Sequence, residues 1–174
     1  MDVPQIFQTI EQSGLSTWIR ETDSLFGFYF ILALHTVGLA MLVGANTFVD
    51  LRILGFGSAA MPLKPLKQYF SIMWWGFAIN AVTGVFLLIA YPTKAFTNPM
   101  FYIKLACIAA AIVVMQKTKT RVFGDSNLSD KAMAARGTTL AVCSLALWVA
   151  ALTTGRLLAY TYTYLFYGHL APGG

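Results

Sequence analysis

Charge is scarce in this chain. Only 11% of its 174 residues are charged and 57% are hydrophobic, whereas soluble domains carry roughly 25% charged residues. That balance excludes an ordinary water-soluble globule. Histidine is rarer still, with only His35 and His169, so a bis-histidine centre between two membrane spans would have to recruit His169 from the tail. The two cysteines, Cys107 and Cys143, fall in separate apolar runs and in no CxxC or CxxxC pair. No zinc pattern exists, and both read as small buried hydrophobes rather than a disulfide. The apolar runs hold no nucleophile–base pair and no carboxylate dyad, which argues against hydrolytic chemistry. The first apolar run has no basic region before it and no A-x-A site after it, so no cleavable signal peptide is expected. The chain is too short to add a second domain of ordinary size to several spans.

What the sequence does contain is four long apolar runs, at about 25–54, 69–91, 99–116 and 139–164. Each suits a tilted helix across a ~30 Å hydrocarbon core. They are too long, and too free of alternation, for barrel strands. The expected fold is therefore all-α, an integral membrane four-helix bundle spanning 23–174. Residues 1–22 behave differently. Val3, Ile6, Phe7, Ile10, Leu15, Trp18 and Ile19 recur at helical spacing, with Asp2 to cap and Pro4 to open, which predicts one amphipathic interfacial helix. The stretch 124–130 reads as a turn carrying a start signal for the last helix.

The net charge of +5 does not call for nucleic acid, because the cations gather at the ends of apolar runs. The loop after the first run carries Arg52, Lys64 and Lys67, and the loop after the third carries Lys117, Lys119, Arg121, Lys131 and Arg136. Basic loops stay in the cytoplasm. The expectation is a bacterial inner-membrane protein with both termini periplasmic. Aromatic residues such as Phe26, Tyr29, Phe30, Tyr91, Tyr102 and Tyr160 gather toward the same outer face. Asp50 and Arg52 are expected to pair locally at the inner end of the first span.

His35 lies in an uncharged run long enough to cross a bilayer, and an ionisable side chain in hydrocarbon is by default a working group with a partner. Counting about 1.5 Å per residue places it roughly 12 Å inside the core. Lys104 and Arg156 lie nearer the same surface, and Asn80 lies near the midplane. Gly76, Asn80 and Gly84 form one stripe of the second span, and Ser144, Trp148 and Gly155 one stripe of the fourth. Small residues allow close helix approach, and they also make room for a flat ligand. A neutral imidazole in a low-dielectric bundle is a ready axial ligand for haem iron, and two cations nearer the surface suit haem propionates. The plain alternatives are a hydrogen bond from His35 to Asn80, Thr83 or a backbone carbonyl, and snorkelling by Lys104 and Arg156. The second axial position is left open among His169, Met100 and no ligand.

The stretch Leu34-His35-Thr36-Val37-Gly38-Leu39, continuing to Asp50-Leu51-Arg52-Ile53-Leu54-Gly55, resembles the signature of an uncharacterised family of short bacterial inner-membrane proteins. Asn98-Pro99, Lys104-Leu105, Ser144-Leu145, Trp148 and Gly155-Arg156 extend the resemblance over nearly the whole chain. That family implies no activity. More distantly, a histidine in the first span and a lysine–leucine pair opening a later one are similar to the membrane domain of copper-resistance protein D and to the four-helix haem-binding protoporphyrinogen oxidase. That similarity implies haem b or copper at His35 with Lys104 nearby. The chain lacks the methionine cluster and second placed histidine of the first, and the arginine-rich first-helix continuation of the second.

Three functional expectations follow. The first is haem b, with His35 on the metal, Lys104 and Arg156 on propionates, and Asn80, Trp148 and Tyr160 lining the site, for electron transfer or quinone-linked redox with a redox partner. The second is copper handling through His35 with Met41, Met100 or Cys107, soft ligands suited to Cu(I). The third is a non-catalytic subunit of a larger membrane complex. A quinone suits the same geometry as haem.

Overall fold

A computed structural model describes residues 5–22, 26–57, 61–125 and 127–167, the side chains of 159 and 162–167 excepted. The amphipathic N-terminal segment forms two short helices, α1 (Gln5–Glu11) and α2 (Gly14–Glu21), rather than one. The break falls at Ser13, whose hydroxyl accepts from the Ser16 backbone N–H at 3.4 Å and so caps α2. Asp2 and Pro4, read as cap and opener, lie outside the described residues. The segment is anchored to the helices beneath it. Ile19 is fully buried with Ile31 and Ala90, the Ser16 hydroxyl donates to the Ala90 carbonyl, and Phe7 stacks on Phe96 at 5.1 Å.

Among the described residues four helical segments are long and apolar enough to cross a membrane, the mark of a multi-pass membrane protein. The first joins α3 (Phe28–Leu39), one wide π turn over Ala40–Gly44, and α4 (Ala45–Ile53). The second is a 3₁₀ turn, Lys64–Gln68, running into α5 (Tyr69–Ala90). After the short α6 (Pro92–Phe96) come α7 (Pro99–Arg121) and α8 (Asp130–Tyr167). No strand occurs among the described residues. Helix α7 continues past 116, and α8 begins well before 139. Hydropathy marks the hydrocarbon layer, whereas helical hydrogen bonding continues into the interface. Lys119 and Arg121 also complement the C-terminal dipole of α7.

Glycine sets the tightest contact. A Cβ on Gly76 would lie 2.8 Å from the Gly38 carbonyl oxygen and 2.7 Å from the Leu42 amide nitrogen, so α3 and α5 meet backbone to backbone. The other main pairing is α7 with α8, and α4 on α8 joins the two pairs. The core accordingly concentrates toward the basic end of the bundle, around Leu42, Val49, Ile53, Phe70, Met73, Met115, Met133 and Trp148. Toward the α2 end, α5 and α7 pack little on one another, and a cleft opens between them.

The expected Asp50–Arg52 pair does not form. Residues two apart on a helix do not face each other. Asp50 points inward, is 2% exposed, and accepts from the Asn46 side-chain amide at 2.5 Å. The same amide donates to the Ser144 hydroxyl of α8 at 2.7 Å. Arg52 points outward and ties the following loop, donating to the carbonyls of Phe56 and Met61.

Candidate functional site

His35 occupies α3 one turn before Gly38, where α3 and α5 touch. Its Nδ1 lies 3.0 Å from the Thr83 hydroxyl of α5. That hydroxyl donates its single proton to the Ile79 carbonyl at 2.7 Å, shared with the Asn80 carbonyl at 3.2 Å. A hydroxyl committed to those carbonyls suits the tautomer that carries its proton on Nδ1 and a lone pair on Nε2. Among the described residues Nε2 has no hydrogen-bond partner. Gly84 provides the space for the ring, since a Cβ there would lie 3.3 Å from His35 Cε1. The Asn80 side-chain amide donates to the His35 carbonyl at 2.9 Å and clamps the two helices at this level.

His35, Asn80 and Gly84 line one wall of a cavity of about 570 Å³, with Phe101, Lys104 and Ile108 of α7 opposite. That size lies within the roughly 300–1,000 Å³ of ligand sites. The walls are otherwise aliphatic or aromatic. Lys104 is half-buried and forms no ion pair or hydrogen bond among the described residues. Its stem passes Gly155 of α8, where a Cβ would meet Cε at 3.7 Å and Nζ at 3.9 Å. One imidazole and one lysine side chain, the latter without a partner among the described residues, thus share an apolar chamber.

The chain belongs to DUF6644, a family of unknown function. The family model matches residues 6–161, a range that takes in both bundle walls and every residue of the DUF6644 cavity just described. No curated protein and no solved structure matches the chain.

The six residues singled out from the sequence divide evenly. His35, Asn80 and Lys104 come together at the cavity; Trp148, Arg156 and Tyr160 do not. Trp148 is 2% exposed inside the core, its indole N–H without an acceptor among the described residues. Arg156 is exposed on α8, because Gly155 takes the Lys104-facing position and the next residue is turned about 100° away. Tyr160 is 70% exposed. Met41 lies against Gly76, Cys107 packs against the core cluster, and neither these nor Met100 lines the cavity. His169 lies outside the described residues. Among the described residues no three His, Cys, Asp or Glu side chains gather as a metal cluster. The cavity walls Phe77, Ala81 and Ile108 carry no sequence signal, since apolar residues occupy every face of these helices.

Proposed function

We propose that this chain binds haem b between α5 and α7 as a bacterial inner-membrane redox protein, with both termini periplasmic. The observation that carries the reading is His35 lining an apolar cavity of about 570 Å³, its Nδ1 on Thr83 and its Nε2 without a hydrogen bond among the described residues. Neutral imidazole held in this way is suited to iron. His35 would hold the iron, and Lys104, which has no ion pair or hydrogen bond among the described residues, would hold a propionate. Asn80 keeps α3 in register with α5. Arg156, on the neighbouring face of α8, is a weaker propionate partner than Lys104, and Trp148 and Tyr160 fall outside the site. The bound group would supply one-electron chemistry, exchanged with a redox partner or with quinone. The distant likeness to copper-resistance protein D and to the haem-binding oxidase rests on His35 and Lys104-Leu105 alone.

A quinone is the second reading, favoured by the position of the cleft between two helices that pack little on each other. His35 and Lys104 would then face its oxygens. Copper is weaker, because no thioether or thiol lines the cavity. A purely structural subunit leaves the unpaired Lys104 unexplained. The absorption spectrum of membrane-extracted protein decides among them. Haem predicts a Soret band that disappears in His35→Ala while the helical content holds. A colourless protein whose organic extract contains stoichiometric quinone selects the second reading.

A further inference from the structure

A second cavity lies at the other end of the gap between α5 and α7, and no part of the His35 chamber enters it. It measures about 460 Å³ and is lined by Lys67 and Gln68 of the 3₁₀ turn, Ser71, Trp74 and Trp75 of α5, and Lys119 from the last turn of α7. Among the described residues no carboxylate lines it. The lining is ordered by depth. The lysines and Gln68 stand at the helix ends, Ser71 follows, and the two indoles lie about 5 Å deeper than Ser71 on the helix axis. Trp75 is 67% exposed on the bundle's outer surface, and Trp74 meets Phe77 edge-on at 5.6 Å. Tryptophan collects at the headgroup level of a bilayer, and basic clefts between spans on the side bearing the positive loops suit anionic headgroups.

We propose that this cleft is a specific site for an anionic phospholipid of the phosphatidylglycerol type. The phosphate lies between Lys67 and Lys119, Ser71 and the indoles face the glycerol and ester region, and an acyl chain enters the gap between α5 and α7. Two cations converge from two helices that otherwise pack little on each other, so the lipid closes the seam at this end of the bundle. Charge complementarity selects the headgroup: a zwitterionic lipid would bring its own cation against the lysines.

The test is native mass spectrometry of protein released from nanodiscs of mixed phosphatidylglycerol and phosphatidylcholine. The expected result is preferential retention of one phosphatidylglycerol. In Lys67→Gln/Lys119→Gln its apparent affinity should fall on the order of thirtyfold, from about fivefold per lysine. Lys67→Arg/Lys119→Arg should restore it. The control Lys117→Gln/Lys131→Gln removes the same charge from the same face outside the cleft and should leave retention unchanged. No preference for the anionic lipid in the parent protein, or equal losses in the two glutamine pairs, would overturn the proposal. Neither result depends on haem or quinone, so the proposal stands or falls apart from the His35 reading.

Discussion

Thr83 and His35 form a directed pair: the hydroxyl lies 3.0 Å from Nδ1 and has already given its own proton to the helix carbonyls behind it. A threonine bonded back to its own helix is a fixed acceptor. Such an acceptor favours the imidazole tautomer that offers Nε2 to a ligand.

Replacing Thr83 with Val keeps the volume and removes the acceptor. The imidazole then has no local reason to keep Nδ1 protonated. Loss of an outer-shell partner of this kind costs about 10–100-fold in metal affinity. Haem titration of Thr83→Val followed at the Soret band should show a weakening of that size, and Thr83→Ser should recover most of it. Unchanged affinity in Thr83→Val would remove Thr83 from the site.

Among the described residues Lys104 is the one Lys or Arg lining the His35 chamber. Lys104→Met preserves much of the stem and deletes the charge. Haem retention should weaken and the reduction potential should fall, because a positive neighbour favours the reduced form. Arg156→Gln should have a smaller effect on both, since that side chain lies outside the chamber. Redox titration of the two variants side by side checks the ranking.

Gly76 and Gly44 give opposite expectations from the same substitution. A Cβ on Gly76 collides with backbone atoms of α3, and one on Gly44 meets nothing within 4 Å. Gly76→Ala should push α3 from α5 and destabilise the protein by about 1–3 kcal/mol. Gly44→Ala should be neutral, or stabilising by up to about 1 kcal/mol through helix propensity. Denaturation in mixed micelles, monitored by circular dichroism, measures both.

Asn46 donates to both Asp50 and Ser144, joining α4 to α8 with buried polar groups. Asn46→Leu fits the apolar surroundings but leaves the Asp50 carboxyl without its amide donor. A buried group stripped of its partner costs about 1–3 kcal/mol. The same unfolding assay should show that loss, and Ser144→Ala should also destabilise, because Ser144 bonds the Asp50 carboxyl as well as accepting from Asn46.

The four spans were legible because length, apolarity and the gaps between charges all report the hydrocarbon layer. His35, Asn80 and Lys104 were legible as polar groups at unusual depth, and depth follows from counting residues. Rotation about each helix axis did not follow. Trp148 shares a stripe with Ser144 and Gly155, yet the stripe faces the core at Trp148 and Lys104 at Gly155. Arg156 is one residue from a position on the Lys104 side and belongs to another surface. The Asp50–Arg52 pairing failed for the same reason, adjacency in sequence having been read as adjacency in space. The Ala40–Gly44 turn has no proline or polar breaker to announce it.

That turn explains how one span serves two neighbours. Eleven residues separate His35 from Asn46, and an unbroken α-helix would bring them round to within about 20° of the same azimuth. Yet His35 reaches Thr83 on α5, while Asn46 reaches Ser144 on α8. The widened coil between them works as a phase shifter, unwinding the strict helical count so that one end of the span addresses the ligand chamber and the other the bundle core. The first span is therefore a spindle with two independently aimed ends, and its halves can be tuned separately.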